Sequence, residues 1–224
     1  MGVNIELYRQ ILGVLEPAQV ELVAVSKVRS AEEIMQLYNE GQRDFGENYV
    51  QELVDKQLML PVDIRWHFIG HLQTNKVKQI APFVHLIHGV DSTKLLAEIN
   101  KQGKKHDRVI NCLMQVHVAE EPNKFGLTEE TLFDALAQVT QTPLEFSNVY
   151  IRGIMGMASF TDNREQIRGE FKFLKYLFDK YQSMASSNCA LKTLSMGMSD
   201  DYEIAIEEGS NMVRIGSLLF GRRI

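Results

Sequence analysis

"ELVAVSK", residues 21–27, joins an unbroken apolar run to a lysine. Leu22, Val23, Ala24, Val25 and the small Ser26 form a run without polar alternation, the pattern of a strand buried on both faces. The run then ends on Lys27. An ammonium at the end of a doubly buried strand needs a reason.

Working outward, seven further short apolar runs follow at 43–46, 64–70, 84–90, 109–118, 149–157, 192–196 and 212–216, with helical patterns between them. Ser30-Ala31-Glu32-Glu33 is a capping box, and its helix places Ile34, Leu37 and Tyr38 on one face before stopping at Gly41. Asp91-Ser92 opens a helix carrying Leu95, Leu96 and Ile99, and Thr128 opens one carrying Leu132, Leu136 and Val139. Residues 163–184 repeat Phe171, Leu174, Leu177, Phe178 and Tyr181 at three- and four-residue spacing. Eight strands alternating with helices predict a parallel sheet covered by its crossovers, closed as a (β/α)8 TIM barrel; a doubly wound open sheet is the alternative. Ile5, Tyr8, Ile11 and Leu12 add an N-terminal helix. No Pro-, Gly- or Ser-rich linker divides residues 1–224, so one domain is expected.

Composition excludes several classes. The chain has 224 residues, 45% hydrophobic and 24% charged, with a formal charge of -5. That balance lacks the clustered Lys and Arg of a nucleic-acid footprint, and the basic clusters at 101–108 and Arg222-Arg223 are short. Cys112 and Cys189 have no motif spacing, which fits a reducing compartment. The first fourteen residues lack signal-peptide features, and no apolar run approaches the ~18 residues of a membrane span. A cytoplasmic protein is expected.

In such a barrel, chemistry sits at the C-terminal ends of the strands. Those ends read Lys27, Glu47-Asn48, Gly70-His71, Asp91, "AEEPNKFG", Met155-Gly156-Met157, "SMGMSDD" and "RIGS". Lys27 could snorkel to solvent, but at the rim desolvation would lower an amine's pKa, as a Schiff-base lysine requires. In "LSMGMSDDYEIAIEEG", Ser195 ends a strand, Gly197 permits close backbone approach, and Ser199 is the expected N-cap of a helix ending at Gly209. Gly216 and Ser217 offer a second backbone-and-hydroxyl turn, and loops after strands seven and eight are the usual phosphate cradle of these barrels. Asp200 and Asp201 would repel a phosphate there unless they turn outward. Arg214 inside the last strand needs a partner, with Glu47 the expected one. Asn48, with Gln51 three residues on, reads equally as a helix cap and as a ligand contact. His67 and His71 lack a third metal ligand.

"AVSK" at 24–27, "FGENYVQE" at 45–52, "WHFIGHLQTNK" at 66–76, "NKFG" at 123–126, "GIMGM" at 153–157, "LSMGMSDD" at 194–201 and "VRIGSLLFG" at 213–221 together resemble the pyridoxal phosphate homeostasis proteins, single-domain relatives of the alanine racemase N-terminal barrel. The resemblance spans essentially the whole chain. It implies pyridoxal 5'-phosphate (PLP) as a Schiff base on Lys27, the phosphate held around Ser195, Met198, Ser199, Gly216 and Ser217, and Arg214 facing the pyridine nitrogen. Asn48 and His71 fall in matching rim motifs.

A cationic partner leaves the ring a poorer electron sink than a carboxylate would. The racemase also draws a second acid/base, a tyrosine, from a C-terminal β domain. The expected function is therefore PLP binding in vitamin B6 homeostasis without turnover, by a monomer with apo PLP-dependent enzymes as potential recipients and no nucleic-acid or membrane partner. The alternative is a racemase-like enzyme with Lys27 as one base and His71 or Tyr49 as the other. A third reading is an interaction protein whose partner senses PLP.

Overall fold

The computed structural model describes residues 2–119 and 125–221. Asn123 and Lys124 of the "NKFG" motif and the pair Arg222-Arg223 lie outside the described residues. Eight parallel strands form a closed barrel in sequence order: β1 (Glu21–Val25), β2 (Asp44–Glu47), β3 (Arg65–Phe68), β4 (Leu86–Val90), β5 (Ile110–Gln115), β6 (Val149–Met155), β7 (Cys189–Ser195) and β8 (Met212–Ile215). Closure is made by β8 pairing with β1, Val23 in register with Arg214 and Ala24 with Ile215. The open-sheet alternative is thereby excluded.

Helices α1 (Ile5–Leu15), α2 (Ala31–Asn39), α3 (Val50–Met59), α4 (Val77–Ile80), α5 (Thr93–Lys105), α6 (Glu129–Gln141), α7 (Arg164–Tyr181), α8 (Tyr202–Glu207) and α9 (Ser217–Phe220) accompany the barrel. The Ser30 capping box is formed, its hydroxyl accepting from Glu33 N–H while the Glu33 carboxylate accepts from Ser30 N–H. Ser92 and Thr128 cap α5 and α6. The N-terminal helix buries Tyr8, Ile11 and Leu15.

Two-residue periodicity divides each strand between two cores. Leu22 and Ala24 join the large layer beneath the helices, whereas Val23 faces inward with Leu86, Leu113, Met155 and Met212. That inner cluster is small. Buried polar groups, among them Glu47, His67, His88, Ser195 and Arg214, are each at most 3% exposed. A barrel filled for stability alone would carry branched apolar side chains in such positions, so the polar filling points to the strand ends. Cys112 and Cys189 are both buried free thiols.

Candidate functional site

Lys27 stands just beyond β1, not as its last residue. The strand ends at Val25, Ser26 N–H adds one more bond to the Gly46 carbonyl (3.0 Å), and Lys27 and Val28 form a turn. Lys27 is half-buried. Val28 has φ 60°, a left-handed conformation that is strained for a β-branched residue and persists only where surroundings enforce it.

The surroundings are a buried ionic clamp. Glu47 Oε1 accepts from the Ser26 hydroxyl (2.5 Å) and from Lys56 Nζ (2.7 Å). Lys56 Nζ also donates to the Ser26 carbonyl (2.7 Å) and to Glu52 Oε1 (2.6 Å), which in turn accepts from Val28 N–H (2.6 Å). Residues on both sides of Lys27 are thus tied to α3 and to the end of β2. Burial pushes the Glu47 carboxyl up, opposed by the Lys56 ammonium. Sequence reading missed Lys56. Its i,i+4 spacing from Glu52 was visible, but not that its helix turns the ammonium inward.

Arg214 does not pair with Glu47. Its Nη1 donates to Ser195 Oγ (2.5 Å) and its Nη2 to the Gly156 carbonyl (3.0 Å), so the guanidinium spans the ends of β6 and β7. Complete burial lowers its pKa to about 10, with Asp201 working in the other direction, and it remains a cation at neutral pH. The Ser195 hydroxyl is fully buried and faces His88 Nδ1 at 3.4 Å.

Two turns follow, after β7 and β8. Gly197 has φ +96°, and a Cβ there would lie 2.6 Å from that of Ala205, so only glycine fits. Ser199 is not the cap of α8. The cap is Asp201, because Asp201 Oδ1 turns inward to accept from Met198 N–H (2.6 Å), which starts the helix two residues later than expected. Ser199 Oγ instead accepts from Gly216 N–H (3.2 Å), binding the two turns together and leaving its own proton free to donate outward. Ser217 is exposed beside it. Asp201 therefore resolves the expected repulsion only partly: its carboxylate is buried and committed to Met198, while Asp200 is exposed.

Across the mouth, Asn48 is not a helix cap. Tyr49 holds that position in α3, and Asn48 Oδ1 is buried with no hydrogen-bond partner, an unused acceptor at the rim. His71 Nδ1 lies 3.1 Å from Asp91 Oδ2, and its ring stacks on Phe125 at 3.8 Å between centroids. His67 and His71 are not brought together. His67 lies inside the barrel, bonded to Asp44 and His88. The structure thus gathers Lys27, Asn48, His71, Met198, Ser199, Arg214, Gly216 and Ser217 at the C-terminal end of one barrel, with Ser195 just beneath.

Comparison with known proteins agrees in extent. Residues 4–223 match the family model described as the alanine racemase N-terminal domain. A pyridoxal phosphate homeostasis protein of Aquifex aeolicus is 42% identical over 204 residues, 91% of this chain and 87% of the relative. Among solved structures, PipY of Synechococcus elongatus superposes without PLP at TM-score 0.89 and 34% identity, covering 96% of this chain and 99% of PipY. PipY with PLP bound superposes at 0.86 and 33% identity, with the same coverage. With the barrel closed, the rim assembled and relatives matched along nearly their whole length, the chain belongs to the alanine racemase N-terminal domain family and, within it, to the pyridoxal phosphate homeostasis proteins.

Proposed function

We propose that this protein binds PLP through a Schiff base on Lys27 and serves intracellular PLP homeostasis without catalytic turnover. When bound, PLP supplies an aldehyde that condenses with a primary amine and a phosphate that needs hydrogen-bond donors. The residues present fit both demands. Lys27 offers the amine on a turn held rigid by Glu47, Glu52 and Lys56, and the Schiff base forms with loss of one water. Ser199 and Ser217 offer hydroxyl protons beside the Gly216 and Met198 backbone, with Ser195 supporting Arg214 from below. The unpartnered Asn48 Oδ1 is an acceptor awaiting a donor.

The observation that carries the reading is the buried Arg214, held by Ser195 and Gly156 in register beside Val23 of the lysine strand. A guanidinium can only donate, so beside the pyridine nitrogen it would not keep that nitrogen protonated. This favours holding the cofactor over stabilising a substrate carbanion. On this reading the protein is a cytoplasmic monomer that passes PLP to apo enzymes across a rim where Tyr49, Phe125 and Ser217 are exposed.

The His71–Asp91 contact supports the second reading, a racemase-like enzyme, because a carboxylate-oriented imidazole at the rim could exchange a proton. Incubation with L-amino acids in deuterated buffer separates the two. The carrier reading predicts no α-proton exchange above that of free PLP. Exchange lost in both Lys27→Ala and His71→Ala would establish the enzyme instead.

A further inference from the structure

Asp44 opens β2 at the N-terminal mouth, whereas Arg214 reaches toward the opposite end of the barrel. Four contacts through the interior join them. Arg214 Nη1 meets Ser195 Oγ at 2.5 Å, Ser195 Oγ meets His88 Nδ1 at 3.4 Å, His88 Nε2 meets His67 Nδ1 at 2.9 Å, and His67 Nε2 meets Asp44 Oδ1 at 3.0 Å.

With both imidazoles neutral, one assignment of protons satisfies every link. A guanidinium only donates, so Ser195 Oγ accepts, and its single proton is left for His88 Nδ1. His88 then carries its proton on Nε2 and donates it to His67 Nδ1. His67 carries its own on Nε2 and donates to the Asp44 carboxylate. The far end requires the same direction: burial opposes charge on Asp44, but hydrogen bonds from Arg65 and His67 outweigh it and hold the carboxyl well below its usual range. Burial, with the charge of Arg214 nearby, keeps His88 neutral.

We propose that Asp44 is a positioning residue for the cofactor face, acting through His67 and His88 to turn the Ser195 hydroxyl proton away from Arg214 and so fix the guanidinium. The proposal rests on the PLP reading above for its functional consequence, though not for its geometry. Asp44, His67 and His85 also offer ligand atoms within 4.8 Å of one another, a metal-like spacing. Arg65 donates to both Asp44 oxygens and Arg152 bears on His85, so two cations already occupy the electrostatic place of a divalent ion. An extra proton on His67 would reverse the chain: His88 would then carry its proton on Nδ1 and donate to Ser195 Oγ alongside Arg214, and the Ser195 proton would lose its acceptor.

The test is long-range 1H–15N correlation NMR on the full chain labelled at histidine, at pH 7.5, with and without PLP. The expected result is neutral His67 and His88, each protonated on Nε2. Asp44→Leu should mix the His88 tautomers, shift the visible spectrum of bound PLP and weaken PLP retention about threefold to tenfold, the scale of one hydrogen bond. Arg65→Gln, which breaks only the ion pair at the mouth, should leave both tautomers and the spectrum unchanged. His88 protonated on Nδ1 would overturn the proposal, and so would an Asp44→Leu protein with wild-type ring signals and PLP retention. The wild-type ring assignment requires no variant to fold. A wild type that takes up no PLP would refute the cofactor reading, and the cofactor-free tautomers would still decide the chain.

Discussion

Lys56 Nζ lies 2.7 Å from the carbonyl oxygen of Ser26, the residue that precedes Lys27. The same ammonium neutralises Glu47, which is fully buried and has its Oε2 unpartnered. A helix side chain thereby fixes the turn that presents the proposed PLP-binding amine.

Removing only one partner of this pair should be severe. Lys56→Met leaves an uncompensated buried carboxylate, and loss of about 3–5 kcal/mol in urea unfolding is expected. The double variant Glu47→Gln with Lys56→Met should recover most of that stability while PLP retention stays impaired, because the Ser26 carbonyl loses its Lys56 donor and Glu52, which holds Val28 N–H, loses its counter-ion. Full PLP retention in the double variant would show that the clamp does not position Lys27.

The inward turn of Asp201 yields a second prediction. Asp201→Asn keeps an oxygen that can accept from Met198 N–H but removes a negative charge beside the two turns. PLP should bind about threefold to tenfold more tightly, equivalent to about 1 kcal/mol, as read by fluorescence titration. Unchanged or weaker binding would place the phosphate elsewhere.

Much of this was legible in the sequence, for a physical reason. Fully buried strands and capped amphipathic helices announce themselves through local spacing, so all eight runs beginning with "ELVAVSK" overlap strands of the barrel, although β7 starts three residues before its run. What failed were partner assignments made across the fold. Ser199 and Asn48 looked like caps by local pattern, yet Asp201 and Tyr49 take those positions because the turns are pulled by Met198 N–H and by the buried Glu47 cluster. Arg214 was expected to meet Glu47, but Lys56 satisfies Glu47, and Arg214 finds Ser195. His88 meets Ser195 across 107 residues of sequence, a contact no spacing rule reports.

Stability should fall on mild acidification. Burial holds His85 at about 4 and His88 well below 6.5, with Arg65, Arg152 and Arg214 opposing protonation and Asp44 favouring it. A depressed folded-state pKa gives stability that is present above about 6.5 and lost as pH falls toward the folded value, at about 1.4 kcal/mol per pH unit for a histidine that stays neutral. Glu47, raised by burial, acts with the opposite sign. Urea midpoints between pH 7.5 and 4.5 should therefore decline more steeply in wild type than in His88→Gln. Parallel profiles would contradict a neutral buried His88.

Attachment of PLP to Lys27 is read directly from the visible spectrum of purified wild type and Lys27→Ala with added PLP, before and after borohydride, followed by mass spectrometry of the reduced peptide. A Schiff base on Lys27 predicts a yellow wild-type chromophore, bleached by reduction with the pyridoxyl group on Lys27, and no such adduct in the variant. A wild type that remains colourless with PLP, or an adduct carried equally by another lysine, would contradict it.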